Sequence, residues 1–348
     1  MSTAWTPDQM PDQTGRTAVI TGASSGLGLV AAARLAGRGA TVIMAVRDVA
    51  KGERVRAELD GDLLVRRLDL ADLESVRAFA AGLRAEGLRI DLLLNNAGTS
   101  GTRRDGPTPA GYEPVLATNH LGHFALTGLL LPLFRPDRDP RVVTVGSGLY
   151  HMLRRSDPAD LAGELTASSG VRYIRAKQAN VIFGVELDRR LRRSGSPVRS
   201  LLAHPGMART PMQDHDLTPA KWLVTRLGGL LLARSPERGT IPLLYAATSP
   251  DAHPGVLYGP SAYRWDSRVH TRPLVAPATD RGLAARLWTV SQAATGVAYL
   301  DVPDAAQVDV PAFPAVAQLA APVAGQPAAP VGPVGAPGAA DRPREVLD

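Results

Sequence analysis

Short apolar segments alternate with longer segments of helical periodicity along most of the chain. The short segments are rich in β-branched and aliphatic residues, which predicts buried β-strands. The predicted strands are Thr17–Thr21, Thr41–Val46, Leu63–Leu68, Leu92–Asn95, Arg141–Val145, Val198–Ala203 and Val256–Tyr258. Strands that alternate with helices usually pair in parallel, so the pattern predicts a seven-stranded parallel sheet.

Helical periodicity fills the intervals between these strands. The predicted helices are Gly26–Arg38, Val49–Glu58, Leu73–Glu86, Tyr112–Phe134, Gly170–Arg193 and Asp280–Gly296. Right-handed crossovers would place the helices on both faces of the sheet, which makes a single doubly wound α/β domain. In such a domain ligands bind at the carboxyl ends of the strands.

The alternation places domain boundaries near both ends of the chain. Residues 1–14 are predicted to form a polar amino-terminal extension, and residues 15–300 the α/β domain. Residues 301–348 consist mainly of Ala, Pro, Val and Gly, with prolines too frequent for a helix or strand to propagate. We therefore expect this tail to be disordered.

The composition narrows the possible chemistry. The chain has no cysteine, which excludes disulfides, thiolate nucleophiles and iron–sulfur clusters. Its start lacks the basic and apolar regions of a secretory signal, and the longest apolar runs, Leu126–Phe134 and Trp222–Ala233, are shorter than a membrane span. These observations predict a soluble, cytoplasmic protein without a membrane-spanning helix.

The net charge of +6 raises the alternative of a nucleic-acid partner. The arginines are scattered through periodic segments, however, and no aromatic residues interleave with a basic stripe. The block Arg189, Arg190, Arg192 and Arg193 is interpreted as a solvated helix face. A polyanionic dinucleotide is a sufficient partner for the remaining charge, so no nucleic acid is predicted.

A glycine-rich loop follows the first predicted strand directly and opens the first helix. It runs through Gly22, Ser24, Ser25, Gly26, Leu27 and Gly28 with the spacing TGxxxGxG. Gly22 permits a tight turn, Gly26 lets the backbone approach a pyrophosphate, and Gly28 lets helix and strand pack closely. Because no Gly-Lys-Ser/Thr follows, a dinucleotide site is favoured over a triphosphatase loop.

The residue after the second strand indicates which dinucleotide binds. Arg47 stands where NAD-specific folds place a carboxylate against the ribose hydroxyls, and arginine can bind a 2′-phosphate there. A shift by one residue would put Asp48 in that place and favour NAD(H). Because Asp48 also suits the cap of the next helix, we predict that NADP(H) is preferred and that NAD(H) remains possible.

A tyrosine and a lysine carry the candidate acid–base chemistry. Tyr173 and Lys177 are four residues apart and share one helix face. A phenol, with a pKa near ~10, is a poor base at neutral pH unless a nearby cation stabilises its anion. Lys177 is one of only three lysines, with Lys51 and Lys221, in a chain that otherwise uses arginine. By itself the pair is a weak motif.

In combination, several motifs in a fixed order resemble the short-chain dehydrogenase/reductase family over residues 15–296. Besides the loop and the pair, they are Asn95-Asn96-Ala97-Gly98, Asn119, Ser147 and Pro205-Gly206. The segments Ala45 to Asp48, Asn119 to Phe124 and Lys177 to Val181 resemble the branch of retinol dehydrogenases, WW-domain oxidoreductases and protochlorophyllide reductases. No WW domain is present. The resemblance implies a Rossmann-type catalytic domain with oxidoreductase activity.

The resemblance also implies roles for individual residues. Tyr173 would be the general acid/base, Ser147 would bind the substrate oxygen, and Lys177 would bind the nicotinamide ribose and lower the tyrosine pKa. Asn119 would hold a relay water. The residues implied to border the cofactor beyond the glycine loop are Arg47, Asp69, Leu70, Asn95, Ala97, Gly98, Tyr173, Lys177, Pro205, Gly206 and Thr210.

Two segments are expected to select the substrate. Gly148 to Ser169 is a long interval that predicts a flap, and Met207 to Ser235 offers apolar surface that suits a hydrophobic alcohol or ketone. The apolar residues are Met212, Trp222, Leu223, Leu227, Leu230, Leu231 and Leu232. They are equally suited to packing on the sheet or to joining two copies of the chain, so a homo-oligomer is an open alternative.

Three histidines near these motifs are not assigned a catalytic role. His151 is interpreted as a solvated loop residue, with contact to the substrate as the alternative, and His120 and His123 as structural residues. No carboxylate has the spacing of a metal ligand relative to them, so no metal is predicted. The alternative function is a non-catalytic NADP(H)-binding sensor or scaffold; loss of Tyr173 or Lys177 would have indicated it, and both are present.

Overall fold

A sheet with nine strands among the described residues, most of them parallel, forms the centre of the molecule. The structure, a computed structural model, describes residues 2–100, 106–152, 168–206, 235–260 and 268–301. The strands are β1 Ser2–Thr3, β2 Thr17–Thr21, β3 Thr41–Val46, β4 Leu63–Arg67, β5 Leu92–Asn95, β6 Arg141–Val145, β7 Arg199–Ala203, β8 Val256–Pro260 and β9 Val269–Pro273. All seven predicted strands are present within two residues of their expected ends.

The strand order is β1-β9-β8-β7-β6-β5-β2-β3-β4. Strands β2 to β8 pair in parallel, which confirms the seven-stranded parallel sheet. At one edge β9 and β1 add two antiparallel strands that were not predicted. The chain winds outward from β2 to β4 and then returns to the other side of β2 at β5. A crevice therefore opens between the carboxyl ends of β2 and β5.

Helices cover both faces of this sheet. They are α1 Gly26–Ala36, α2 Val49–Arg56, α3 Leu73–Ala85, α4 Gly122–Leu130, α5 Ser169–Arg193, α6 Pro236–Thr248 and α7 Arg281–Thr295. One hydrophobic cluster joins the sheet to α3, α4, α5 and α7, and a second joins its other face to α1 and α6. The arrangement confirms a doubly wound Rossmann-type domain.

The segment predicted as one helix from Tyr112 to Phe134 is divided. A short α-helical turn, Pro114–Leu116, leads into a π-helical turn, Ala117–Leu121, and then into α4. At the junction Gly122 lies close to the loop that follows β4. A Cβ on Gly122 would be 2.3 Å from the Leu70 carbonyl oxygen. Periodicity could not predict this division, because a π-turn shifts the helix by one residue without changing its composition.

Helix α6 and strand β9 were not predicted, because their sequences lack the usual signals of a helix and a strand. Helix α6 contains Pro242 in its interior and Gly239 near its start, and both residues are usually read as helix breakers. Strand β9 reads Val-His-Thr-Arg-Pro, without apolar alternation, because it lies near the edge of the sheet.

The amino-terminal residues pack onto the domain. Strand β1 pairs with β9, and the Trp5 indole is buried edge-on against the Tyr245 ring, with 5.6 Å between their centroids. Met10 is also buried in the cluster on this face. Among the described residues, no helix has both the length and the apolar character needed to cross a membrane.

Candidate active site

The glycine loop makes a tight turn between β2 and α1. Gly22 and Gly26 have φ angles of +69° and +56°, which lie in the left-handed region that favours glycine. A Cβ on Gly28 would lie 2.5 Å from the Gly22 carbonyl oxygen, so helix and loop meet without room for a side chain. The first turn of α1 contains no acidic residue, and the Ser25 side chain makes no capping hydrogen bond. The positive end of this helix therefore faces the crevice.

The loop after β5 is tied to the end of β2. The amides of Asn96 and Ala97 each donate a hydrogen bond of 2.9 Å to Thr21 Oγ1, and Asn96 Nδ2 donates to the Thr21 carbonyl oxygen at 2.8 Å. Asn95, the last residue of β5, is buried, and its Oδ1 has no hydrogen-bond partner among the described residues. The crevice is thus bounded by two loops that hold each other in place.

His123 connects this junction to the π-helical turn. Its Nδ1 lies 2.9 Å from the Asn119 carbonyl oxygen and its Nε2 lies 2.9 Å from Thr21 Oγ1. Burial lowers the pKa of His123 to about 4, so the ring is neutral at pH 7. Because a carbonyl can only accept, the proton is on Nδ1, and Nε2 accepts from the threonine hydroxyl.

The loops after β3 and β4 form the other end of the crevice. Arg47 follows β3 directly and is exposed. Asp48 accepts a hydrogen bond of 2.9 Å from the Lys51 amide and caps α2, which confirms the predicted cap. Asp69 is half-buried and Leu70 is buried, both just beyond β4, the neighbour of β3.

Asn119 and Lys177 converge on Gly98. The side chain of Asn119 accepts a hydrogen bond of 2.7 Å from the Thr99 amide and returns one of 2.9 Å to its carbonyl oxygen. A Cβ on Gly98 would lie 3.2 Å from Asn119 Oδ1 and 3.5 Å from Lys177 Nζ. Tertiary structure therefore brings together three predicted site residues that come from three separate segments.

Tyr173 and Lys177 share one face of α5, as predicted. The lysine Nζ lies 5.9 Å from the centroid of the Tyr173 ring and donates a hydrogen bond of 3.1 Å to the Val145 carbonyl oxygen at the end of β6. Burial lowers the pKa of Lys177 to about 8 and raises the pKa of Tyr173 to about 12. The sequence predicted that Lys177 lowers the pKa of Tyr173. In the protein without cofactor the pKa of Tyr173 is instead raised, because the effect of burial is not offset by the lysine.

Ser147 lies at the same edge of the sheet, two residues beyond β6. Its Oγ accepts a hydrogen bond of 3.1 Å from the Leu149 amide, which starts a short 3-10 helix, Tyr150–Met152. His151 in this helix is exposed. The rest of the predicted flap, residues 153–167, lies outside the described residues.

A buried histidine that the sequence did not single out supports the turn after β7. His204 Nδ1 accepts a hydrogen bond of 3.2 Å from the Gly206 amide, and Gly206 has a φ of +70°. The imidazole occupies space left by two glycines: a Cβ on Gly259 would lie 1.9 Å from Nε2, and one on Gly148 would lie 3.3 Å from Cε1. His204 therefore joins the predicted Pro205-Gly206 turn to the segment after Ser147.

Some predicted residues cannot be placed. Thr210 and the apolar segment at 207–234 lie outside the described residues.

His120, interpreted as structural, is buried with its Nε2 2.8 Å from Ser291 Oγ, and burial lowers its pKa to about 3. A signal for His204 was present in the sequence, since a histidine between a strand and Pro-Gly stands at the ligand-binding edge.

Comparison with known proteins agrees with this geometry. The profile of the family described as short chain dehydrogenase matches residues 16–220. Polyprenol dehydrogenase from Mus musculus is 39% identical over 302 residues, which cover 83% of this chain and 87% of that protein. Retinol dehydrogenase 14 from Mus musculus is 37% identical over 301 residues, covering 81% of this chain and 86% of that protein. The chain belongs to the short-chain dehydrogenase/reductase family.

A solved structure has a similar fold. An uncharacterised protein from Mycobacterium paratuberculosis is 39% identical with a TM-score of 0.68, and the match covers 85% of this chain and 98% of that one. The predicted family and its retinol dehydrogenase-like branch are confirmed. The protein is accordingly an oxidoreductase of the class that acts on alcohols and carbonyls.

Proposed function

We propose that this chain is an NADP(H)-dependent oxidoreductase that interconverts a hydrophobic alcohol with a ketone or aldehyde. The observation that carries the proposal is the meeting of Asn119, Gly98 and Lys177 beside Tyr173, at the sheet edge that also holds the glycine loop. Turnover of a panel of apolar carbonyls with NADPH tests it.

The crevice fits a dinucleotide. The close approach of Gly28 to Gly22 leaves backbone amides and an uncapped helix start available for a pyrophosphate. Asn95 Oδ1, buried without a partner among the described residues, is suited to accept from a ribose hydroxyl. The proposed binding residues are the glycine loop Gly22 to Gly28, Arg47, Asp69, Leu70, Asn95, Ala97, Gly98, Tyr173, Lys177, Pro205, Gly206 and Thr210.

The proton chemistry falls to the chain's own side chains. A bound reduced nicotinamide would supply the hydride. With its pKa raised by burial, Tyr173 is a neutral phenol at pH 7 and can donate its proton to a carbonyl oxygen as charge develops there. Ser147 Oγ would donate a second hydrogen bond to the same oxygen. The Lys177 ammonium would stabilise the phenolate that remains, and Asn119 would hold the water that returns a proton.

Apolar surface beside Ser147 supports a hydrophobic substrate. Four large apolar side chains of the described residues are exposed, and Leu149, Met152 and Val275 are three of them. Val275 belongs to the same region, because its amide donates a hydrogen bond of 2.9 Å to the Tyr150 hydroxyl. The relatives named above act, by their names, on polyprenol and retinol, both of which are apolar alcohols.

The cofactor preference makes the first prediction. Arg47→Ala should weaken NADPH binding roughly 10- to 100-fold, because a charge-assisted bond to the 2′-phosphate is worth about 1.5–3 kcal/mol. NADH binding should stay unchanged. Titration of the protein with each cofactor, followed by nicotinamide fluorescence, measures both affinities.

A matched control is available on α2. Arg54→Ala removes the same charge from an exposed position on α2 and should leave both affinities unchanged. If the unaltered protein binds NADH as tightly as NADPH, the preference assigned to Arg47 is wrong.

The pH dependence of reduction follows from the two shifted groups. Lys177 is protonated below its pKa of about 8, and Tyr173 keeps its proton up to about 12. The required pair, ammonium and phenol, is therefore present at neutral pH and is lost as the pH rises through about 8. We expect kcat/KM for NADPH, which reports groups of the free enzyme, to be flat below pH ~7 and to fall tenfold per pH unit above ~9. A profile that stays flat to pH ~10 would contradict the role of Lys177.

A further inference from the structure

A buried ion pair joins the two helical segments that carry the candidate catalytic groups. Arg172 Nη1 donates a hydrogen bond of 3.0 Å to Glu113 Oε1, and each side chain is only 5% exposed. The two residues are 59 positions apart in the sequence. Neither belongs to the site described above, and the sequence alone did not single them out.

The glutamate end of this pair is rigidly held. Its Oε1 accepts from the Val115 amide at 3.0 Å, and its Oε2 accepts from the Leu116 amide at 2.8 Å. Glu113 thereby caps the short turn that runs without interruption into the π-helical turn of Asn119. The preceding residue, Tyr112, donates its hydroxyl to the Ala294 carbonyl oxygen in α7 at 2.8 Å. Glu113 is therefore a fixed point relative to Asn119.

The arginine end lies in the first turn of α5, directly before Tyr173. Ser168 caps this helix only weakly, with a hydrogen bond of 3.5 Å from the Val171 amide. Helix ends fray unless side chains or tertiary contacts hold them. Arg172 is one residue from the candidate proton donor. The hydrogen bond from Arg172 to Glu113 therefore helps to fix the position of the first turn of α5.

Stability alone does not account for this pair. Burying both charges costs several kcal/mol, and well-packed apolar residues of similar volume are often as stabilising as a buried ion pair. Unlike an apolar contact, a hydrogen-bonded ion pair is directional, because its hydrogen bonds fix the separation and orientation of the two partners. We propose that the Glu113–Arg172 pair is a positioning device that holds the Tyr173 turn of α5 against the segment of Asn119. This proposal rests on the proposed function of Tyr173.

Four variants test the positioning role. Arg172→Met removes the guanidinium while keeping much of the apolar stem, Arg172→Lys keeps the charge with a single-point donor, and Glu113→Gln removes the carboxylate charge. The prediction that the block from Arg189 to Arg193 is a solvated face is wrong at Arg190, which is buried and ion-paired with Glu186 at 2.6 Å. Arg190→Met breaks this second buried ion pair of α5, far along the helix from Tyr173, and is the control. Amide hydrogen exchange of residues 169–177 is measured without cofactor, and kcat, KM and NADPH affinity are measured in steady state.

We expect a pattern that a purely structural pair would not produce. Arg172→Met should raise exchange in the first turns of α5 about tenfold and lower kcat on the order of 10- to 100-fold, the loss typical of a small misplacement of a reacting group. NADPH affinity should change much less than kcat, because the glycine loop is untouched. Arg172→Lys should recover part of kcat, and Arg190→Met should alter neither the exchange of residues 169–177 nor kcat.

Two outcomes decide against the proposal. Unchanged exchange at the start of α5, or a loss of kcat no larger than that of Arg190→Met at equal melting temperature, would overturn it. If Arg172→Met does not fold, Glu113→Gln and Arg172→Lys give the same comparison. If the unaltered protein turns over no carbonyl, the proposed function fails, while the exchange data still show whether the pair anchors α5.

Discussion

Tyr173→Phe should lower kcat for carbonyl reduction by about 10³-fold while leaving NADPH affinity within about twofold, since positioned proton transfer contributes on the order of 10²- to 10⁴-fold. The substitution removes one hydroxyl and keeps the ring that packs beside Lys177. Burial already keeps this hydroxyl protonated at neutral pH, so the variant loses the donor and no charge. Single-turnover oxidation of bound NADPH with an apolar aldehyde measures the chemical step directly.

A second partly buried tyrosine, Tyr299, provides the control for this result. The Tyr299 hydroxyl donates a hydrogen bond of 3.0 Å to the Phe124 carbonyl oxygen, within the aromatic cluster beneath α4 and α7. Tyr299→Phe makes the same chemical change and should cost about 1 kcal/mol of stability with kcat unaltered. Activity of Tyr173→Phe within tenfold of the unaltered enzyme would rule out Tyr173 as the proton donor.

Replacing Lys177 with Met should lower kcat/KM by about 10²- to 10³-fold, the usual loss when a preorganised charged donor is removed from a site that excludes water. Both kcat and NADPH affinity should contribute, because the proposed role of the ammonium includes binding the nicotinamide ribose. The fall in activity at high pH that we expect of the unaltered enzyme should be absent from this variant.

The fold itself should tolerate this substitution. Burial lowers the pKa of Lys177, which means that the ammonium is more costly to bury here than to leave in water. Methionine has a similar length and no charge. The melting temperature of the Lys177→Met protein should therefore match or exceed that of the unaltered protein. Lys51→Met, at an exposed position on α2, is the matched control and should change neither stability nor turnover. A Lys177→Met enzyme with the original pH profile would contradict the assignment.

Local sequence was sufficient for the seven parallel strands and for the glycine loop. The strands Thr17–Thr21 and Thr41–Val46 appear with the ends that periodicity predicts, because a buried parallel strand must be apolar throughout. The positive φ angles of Gly22 and Gly26 are likewise a local requirement that only glycine meets without strain. The same local logic placed Tyr173 and Lys177 on one face of α5.

Contacts between distant segments could be decided only by the tertiary structure. His123 and Thr21 are 102 residues apart, and His204 fits against Gly259 only because β8 is the neighbour of β7. No periodicity records such pairings, since each depends on how two elements approach after the chain has wound. The pKa of Tyr173 is a further case, because spacing predicts a lysine nearby but only packing determines that burial outweighs it.

The sequence by itself therefore determined the seven parallel strands, most of the helices, the phosphate-binding turn and the identity of the groups that can do chemistry. These features depend on neighbouring residues and on the helical and strand periodicities, both of which can be recognised in the sequence. Only the tertiary structure decided the π-helical turn that presents Asn119, the antiparallel edge made by β9 and the buried pair of Glu113 with Arg172. These depend on close packing between segments far apart in sequence, where a few ångströms decide which side chains meet.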